Sequence, residues 1–303
     1  MVSAQASAVV SAASDSRWMS DVDPACPTLA GMHSDVLALA PWLLAYAATG
    51  AFIGFLAGLL GIGGGMTLVP VLAAMFTAQQ LAPGHTVHLA LGTGMASILF
   101  TSTASVREHH RLGGVDWAIV QRLGPGMVAG TLMATALSGY VPQRALALAF
   151  AVIVCAGATQ IWLGRKPSAA RTLPGTPALV AVGLAIGVVC GVVAAGGAFL
   201  TVPFMLFCGV PMINAIGTGA ALGLPVALIG TLGYVWSGSG VPGLPQLAVG
   251  FVHVPALLAL VAGSVITAPL GARAAHRLPV ATLKRVFAGL LYVLAAKMLF
   301  TYW

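Results

Sequence analysis

Residues 187–203 read GVVCGVVAAGGAFLTVP, and they sit inside a stretch, residues 172–272, that contains no Asp, Glu, Lys or Arg. A helix crossing a bilayer needs roughly 20 apolar residues, so this stretch alone has room for several crossings. Residues 36–84 are equally uncharged. Across the 303 residues the charged fraction is 6% and the hydrophobic fraction 59%. The mean hydropathy is +1.00, whereas an ordinary soluble domain carries about a quarter charged residues. This composition argues against a soluble enzyme. The apolar segments do not alternate with polar positions, as the strands of a membrane β-barrel must. The fold expected is an all-α integral membrane protein whose first partner is the lipid bilayer. The formal net charge of +7 does not indicate nucleic acid, because no basic stripe with interleaved aromatics is present.

The opening stretch has an earlier copy. Residues 54–70 read GFLAGLLGIGGGMTLVP. Gly54 aligns with Gly187, Gly58 with Gly191, Gly63 and Gly64 with Gly196 and Gly197, and Pro70 with Pro203. Gly92-Thr93-Gly94 then finds Gly217-Thr218-Gly219, and Ala129-Gly130-Thr131 finds Ala262-Gly263-Ser264. Three matches in the same order predict a duplication with five apolar segments per half. They fall at about 41–61, 65–78, 87–106, 116–139 and 144–163, then 177–195, 199–208, 213–236, 246–271 and 283–302. The second segment of each half is too short to cross about 30 Å at 1.5 Å per residue, so it reads as a half-helix after a Gly-rich break. The organisation expected is a disordered tail over 1–40, a first repeat over 41–164, a basic cytoplasmic linker over 165–175 and a second repeat over 176–303. The tail holds four of the six acids and is a poor signal peptide. Met32 is an alternative start.

Lys and Arg mark the cytoplasmic side of short loops. Arg107 and Arg111 follow the third segment, Arg165, Lys166 and Arg171 join the halves, and Arg273, Arg277, Lys284 and Arg285 precede the last helix. These links are placed inside. The uncharged link 237–245 and the link 140–144 are placed outside. Equivalent links then fall on opposite sides, which predicts inverted repeats, a transporter architecture with its site near the midplane.

The duplicated Gly-rich stretch, GIGGGMTLVP in its first copy, and the GTG stretch after each copy resemble the sulfite exporter TauE/SafE family over roughly residues 43–302. The resemblance implies a polytopic membrane transporter for small sulfur oxyanions or organosulfonates, in a bacterial inner membrane. The second copy reads AAGGAF where the first reads GIGGGM. A role that needs the third glycine therefore does not extend to Ala198.

The residues themselves suggest how a small anionic solute could be held. Consecutive glycines interrupt a helix, since each costs about 1 kcal/mol relative to Ala. The freed N–H groups find no partner in hydrocarbon and must face protein or a polar cavity. A half-helix starting there aims amides and a positive dipole end at that cavity, which suits an anion. Candidate substrate contacts are Gly63, Gly64, Gly65 and Thr67 in the first copy and Gly196, Gly197 and Thr201 in the second. Thr93, Ser97 and Thr218 follow as hydroxyl donors, with Asn214 ranking lower. Isolated glycines such as Gly54 and Gly58 read as helix-packing positions. Arg122 and Lys297 read as side chains reaching the interface, and His88 and His253 as hydrogen-bonded structural residues.

Beyond residue 35 the only acids are Glu108 and Asp116, both in or beside a basic loop. Spans without carboxylates argue against a metal-cation or sodium/proton antiporter. Cys26, Cys155, Cys190 and Cys208 have no metal-ligand spacing, and no cofactor or metal is expected. HExxH, GxSxG and paired aspartates are absent, so an intramembrane enzyme is not the reading. The expected function is a membrane transporter for a small anion, with a passive anion channel or a non-transporting scaffold as the alternative. The sequence does not define an oligomeric state.

Overall fold

The computed structural model describes residues 29–60, 64–163, 173–275 and 280–302. The contacts described below all lie within one compact unit that begins at Leu43. The helices are α1 (Leu29–Leu60), α2 (Gly65–Ala78), α3 (Thr86–Arg111), α4 (Trp117–Ser138) and α5 (Gln143–Leu163), followed by α6 (Thr176–Val193), α7 (Ala198–Phe207), α8 (Met212–Gly238), α9 (Val254–Ala275) and α10 (Val280–Tyr302). Six of them contain segments long and apolar enough to cross a membrane: Ala40–Leu59, Thr86–Arg111, Gln143–Gln160, Thr176–Val193, Met212–Gly238 and Val254–Ala274. This is an all-α, multi-pass membrane protein.

Two boundaries differ from the sequence reading. The first helix already begins at Leu29, because LAGMHSDVLALA continues the helical run upstream of residue 41. The remainder of the expected tail, and most of the 165–175 linker, lie outside the described residues. The apolar run 246–271 is not one helix. Its first part forms a two-stranded antiparallel hairpin, β1 (Ala248–Val249) and β2 (Val252–His253). Gly250 turns it at a φ of 55°, a left-handed conformation that glycine adopts without Cβ strain.

The short helices have the expected lengths of 14 residues for α2 and 10 for α7. At 1.5 Å per residue they extend about 21 and 15 Å, well short of a bilayer core. Each packs on the helix that follows it, Val69 against Gly94 and Val202 against Gly219.

Small residues set the long-helix crossings. Gly50, Gly54 and Gly58 of α1 lie against Leu260, Ser264 and Ala268 of α9. Gly183, Gly187 and Gly191 of α6 lie against Leu123, Met127 and Thr131 of α4. Both pairs run parallel. Between lipid-exposed helices, where no hydrophobic effect drives association, such close backbone approach maximises packing. By contrast, α3 and α8 are antiparallel, since Met95 meets Gly230 and Ser102 meets Gly223.

These contacts define two ends. At one, Ser138 and Ser237 are joined by a 3.1 Å hydroxyl hydrogen bond, with Tyr140 and Trp236 exposed beside them, as aromatic residues are at a membrane interface. At the other, Arg111 and Arg273 both reach Glu108. The two basic links of the described chain therefore share one end, and the links at 140–144 and 237–245 share the other.

Candidate functional site

Each backbone break lies between a long helix and a short one. Gly61–Gly63 lie outside the described residues, and with them the candidate Gly63. Gly64 is described and caps α2 at a φ of 70°, in the left-handed region that glycine alone enters freely. The second break follows α6, whose C-cap Ala194 also takes a left-handed conformation, with a φ of 46°. A non-glycine residue there carries strain of the order of 1 kcal/mol or more. It leads through Ala195, Gly196 and Gly197 into α7.

The two breaks touch. A methyl group built on Gly65 would lie 1.8 Å from the Ala194 carbonyl oxygen, so only glycine fits at the start of α2. Gly197 is confined too: a methyl group there would lie 3.0 Å from the Gly223 nitrogen, the Leu222 carbonyl carbon and the Met127 methyl. The Thr67 and Leu68 amides already donate to the Gly64 carbonyl, and the Phe199 amide to that of Gly196, so any further donors at these starts are the first one or two amides of each short helix.

Two small cavities adjoin the breaks. One is lined by Gly196, Gly197, Ala198, Gly219, Ala220 and Gly223 on one side and by Ala57, Thr101, Ser102 and Ser105 on the other. The second is lined by Ser97, Thr101 and Ser264 together with apolar residues of α1, α2 and α3. Each encloses about 10 Å³, space for about one water-sized sphere. Ala57 and Thr101 line both. The Thr101 hydroxyl lies 3.0 Å from the Ser97 carbonyl and 3.0 Å from the Ser264 hydroxyl. Among the described residues, Ser105 Oγ and Thr67 Oγ1 are buried with no hydrogen-bond partner.

The expected site residues therefore divide. Gly196, Gly197 and Ser97 line the cavities, Gly64 and Gly65 stand at the first break without lining either, and Thr67 is buried one turn into α2. Thr201 is also buried, but its hydroxyl donates to the Gly197 carbonyl at 2.6 Å. Thr93 and Thr218 play matching parts elsewhere. Thr93 Oγ1 accepts the His253 N–H at 2.9 Å, and Thr218 Oγ1 accepts the Asp116 N–H at 2.9 Å. Each docks the loop that opens a fourth helix of the opposite sequence half. Asp116 then caps α4, accepting from the Ala118 and Ile119 amides. His253 Nδ1 accepts from Ala256 N–H in the first turn of α9, and burial pulls the ring's pKa down to about 4. His88 Nε2 is held between the Ser138 and Val141 carbonyls, 3.1 Å from each.

Thr101, Ser102, Ser105 and Ser264 were not among the expected contacts. A signal for two of them was present, because Ser97, Thr101, Ser105 and Glu108 recur every three or four residues and so share one helix face. Glu108 itself corrects the expectation of spans free of carboxylate. α3 runs on to Arg111, so Glu108 lies in its last turn, and it is 7% exposed. Its burial is compensated by two cations: Glu108 Oε1 accepts from Arg111 Nη2 at 2.6 Å and Arg273 Nε at 3.0 Å. Arg122 and Lys297 are exposed. Among the described residues, no group of three or more His, Cys, Asp and Glu could hold a metal ion.

Residues 46–298 match the family model of the sulfite exporter TauE/SafE. A protein of Haemophilus influenzae described as a probable membrane transporter protein is 35% identical over 82% of this chain and 95% of its own length. A Bacillus subtilis protein of the same description is 25% identical over 77% of this chain and 90% of its own. A Methanocaldococcus jannaschii protein, again so described, is 21% identical over 88% and 98%. No solved structure matches the chain.

Proposed function

We propose, since this chain belongs to the sulfite exporter TauE/SafE family and is a membrane transporter, that its cargo is a small sulfur oxyanion or organosulfonate moved across the plasma membrane. The observation that carries this reading is the contact between Gly65, which opens α2, and Ala194, which ends α6, because it joins the two backbone breaks from which α2 and α7 start. Positive dipole ends and unpaired N–H groups favour an anion without any cationic side chain. Ser97, Thr101, Ser102, Ser105 and Ser264 add hydroxyls around the same space, and hydroxyl donors suit oxyanion oxygens.

Gly64, Gly65, Gly196 and Gly197 are read as the backbone cradle, with Gly63 completing it, and Thr67 and Ser97 as side-chain contacts. Thr201 shapes the second break, while Thr93 and Thr218 hold the surrounding loops in place. The two halves are read as inverted repeats. Antiparallel α3 and α8 support this, as do the matching pairs α1 with α9 and α6 with α4, and the exchange of Thr93 and Thr218 hydrogen bonds between halves.

Cavities of about 10 Å³ are too small for an oxyanion, so the breaks must part for cargo to enter. That favours a carrier alternating between closed and open forms over a standing pore. Uptake of radiolabelled sulfite or a short sulfonate into proteoliposomes tests the reading. Saturable flux above that of empty vesicles is expected, and flux equal to empty vesicles for both anions overturns the cargo assignment.

A further inference from the structure

We propose that the buried face of α3 is the route by which cargo leaves the cavity, and that the Glu108–Arg273 ion pair closes it at the basic end. The inference rests on the anion-transport reading above for what travels, but not for where the route runs. Four hydroxyl side chains, Ser97, Thr101, Ser102 and Ser105, lie on α3 and are 3–5% exposed. They extend from the cavity beside α1 to the one beside α7. Helical spacing places Ser105 about one turn from Glu108.

Most of this polarity lies on α3, with Ser264 of α9 as its one hydroxyl partner among the described residues. The facing helix α8 offers Leu222, Gly223, Val226 and Gly230 over the equivalent stretch. Helix packing does not require so many hydroxyls along one side, and Ser105 Oγ lines the cavity with no partner among the described residues. A buried hydroxyl without a partner costs about 1–3 kcal/mol. It persists most readily where a polar guest or water supplies that partner in part of the cycle.

Beyond Ser105 the face ends at Glu108. Its carboxylate is the one buried acid among the described residues, and it ties α3 to α9 through Arg273 at 3.0 Å. Arg111 comes from α3 itself, so of the two ion pairs only the Arg273 one must break for the helices to separate at this end; farther along, the Thr101–Ser264 hydroxyl bond also joins them. Once it opens, Arg111 and Arg273 present positive charge to an anion emerging past Ser105. Both guanidinium groups already reach water, their side chains being 66% and 54% exposed.

The test uses the purified full-length chain in detergent, with Cys26, Cys155, Cys190 and Cys208 replaced by Ala and Ser105→Cys introduced. The rate of modification by the anionic thiol reagent methanethiosulfonate ethylsulfonate is read. Arg273→Gln is expected to raise that rate about tenfold or more, Glu108→Gln to do likewise, and Arg273→Lys to leave it near the parent value. Lipid-facing Phe100→Cys should not respond to any of them. Unchanged Ser105→Cys labelling in both Gln variants overturns the gate and the route. If the Gln variants accelerate labelling but sulfite gives no protection, the route stands and the cargo assignment fails.

Discussion

Gly65 and Ala194 meet where the two broken segments touch: a methyl group on Gly65 would sit 1.8 Å from the Ala194 carbonyl oxygen. Both partners are backbone, so neither can rotate away. Gly65→Ala must push the breaks apart and misplace the α2 amides. A displacement of order 1 Å among positioning groups can cost about a hundredfold in rate. Sulfite flux in proteoliposomes is therefore expected to fall at least tenfold. Gly289→Ala in α10 is the control, because nothing lies within 4 Å of its Cβ position. It should transport normally and melt no lower than wild type.

Thr93 and Thr218 hold equivalent loops through 2.9 Å hydrogen bonds from His253 N–H and Asp116 N–H. Val replaces the hydroxyl with a methyl of similar shape and leaves each amide without its acceptor, at about 1–3 kcal/mol. Thr93→Val and Thr218→Val should each lower the melting temperature in detergent, while Ser at either position should retain most of it. The half-saturating sulfite concentration should hardly change. A raised value with unaltered melting would instead make these hydroxyls cargo contacts.

His253 gives the stability a pH dependence. Its folded pKa of about 4 lies below the ordinary histidine value near 6.5. Between those values the unfolded chain binds the proton and the folded one does not, so stability falls as pH drops from 6.5 towards 4 and levels off below. Thermal melting at pH 7.5 and 5 measures this. His253→Asn, which keeps a side-chain acceptor for Ala256 N–H, should show a smaller drop between those pH values than wild type.

The inverted arrangement proposed above predicts where links emerge. Reporter fusions within 165–171 and within 237–245 should report opposite sides of the membrane, with the basic link inside. The same side for both would rule the inversion out.

Much of this fold could be read from the chain because lipid imposes simple rules. Uninterrupted apolar runs gave the long helices, and glycine tracts followed by Pro70 and Pro203 marked both short ones to within about a residue. The hairpin before α9 was hidden because Ala248–His253 is as apolar as the helix after it. Only Gly250 hinted at the turn. At the site, the duplicated glycines drew attention to what the halves share, whereas the hydroxyl face of α3 is what they do not share. Thr101 and Ser105 have Val226 and Gly230 as counterparts on α8, so a search for matched positions passes over them. The partners of Thr93 and Thr218 were unreadable for another reason. Each lies more than a hundred residues away in sequence, and only the packing of one half on the other brings them together.

Gly223 offers the most direct test of whether the paired breaks form an anion site. Ala at this position would place its methyl 3.2 Å from Ser102 Oγ and 3.4 Å from Gly197 N, covering a hydroxyl and a break amide at once. Within a helix the same change adds up to about 1 kcal/mol of stability. Equilibrium binding of radiolabelled sulfite to the purified chain should be saturable for wild type and at least tenfold weaker for Gly223→Ala, with melting unchanged or higher. Equal binding by the two proteins would contradict the assignment.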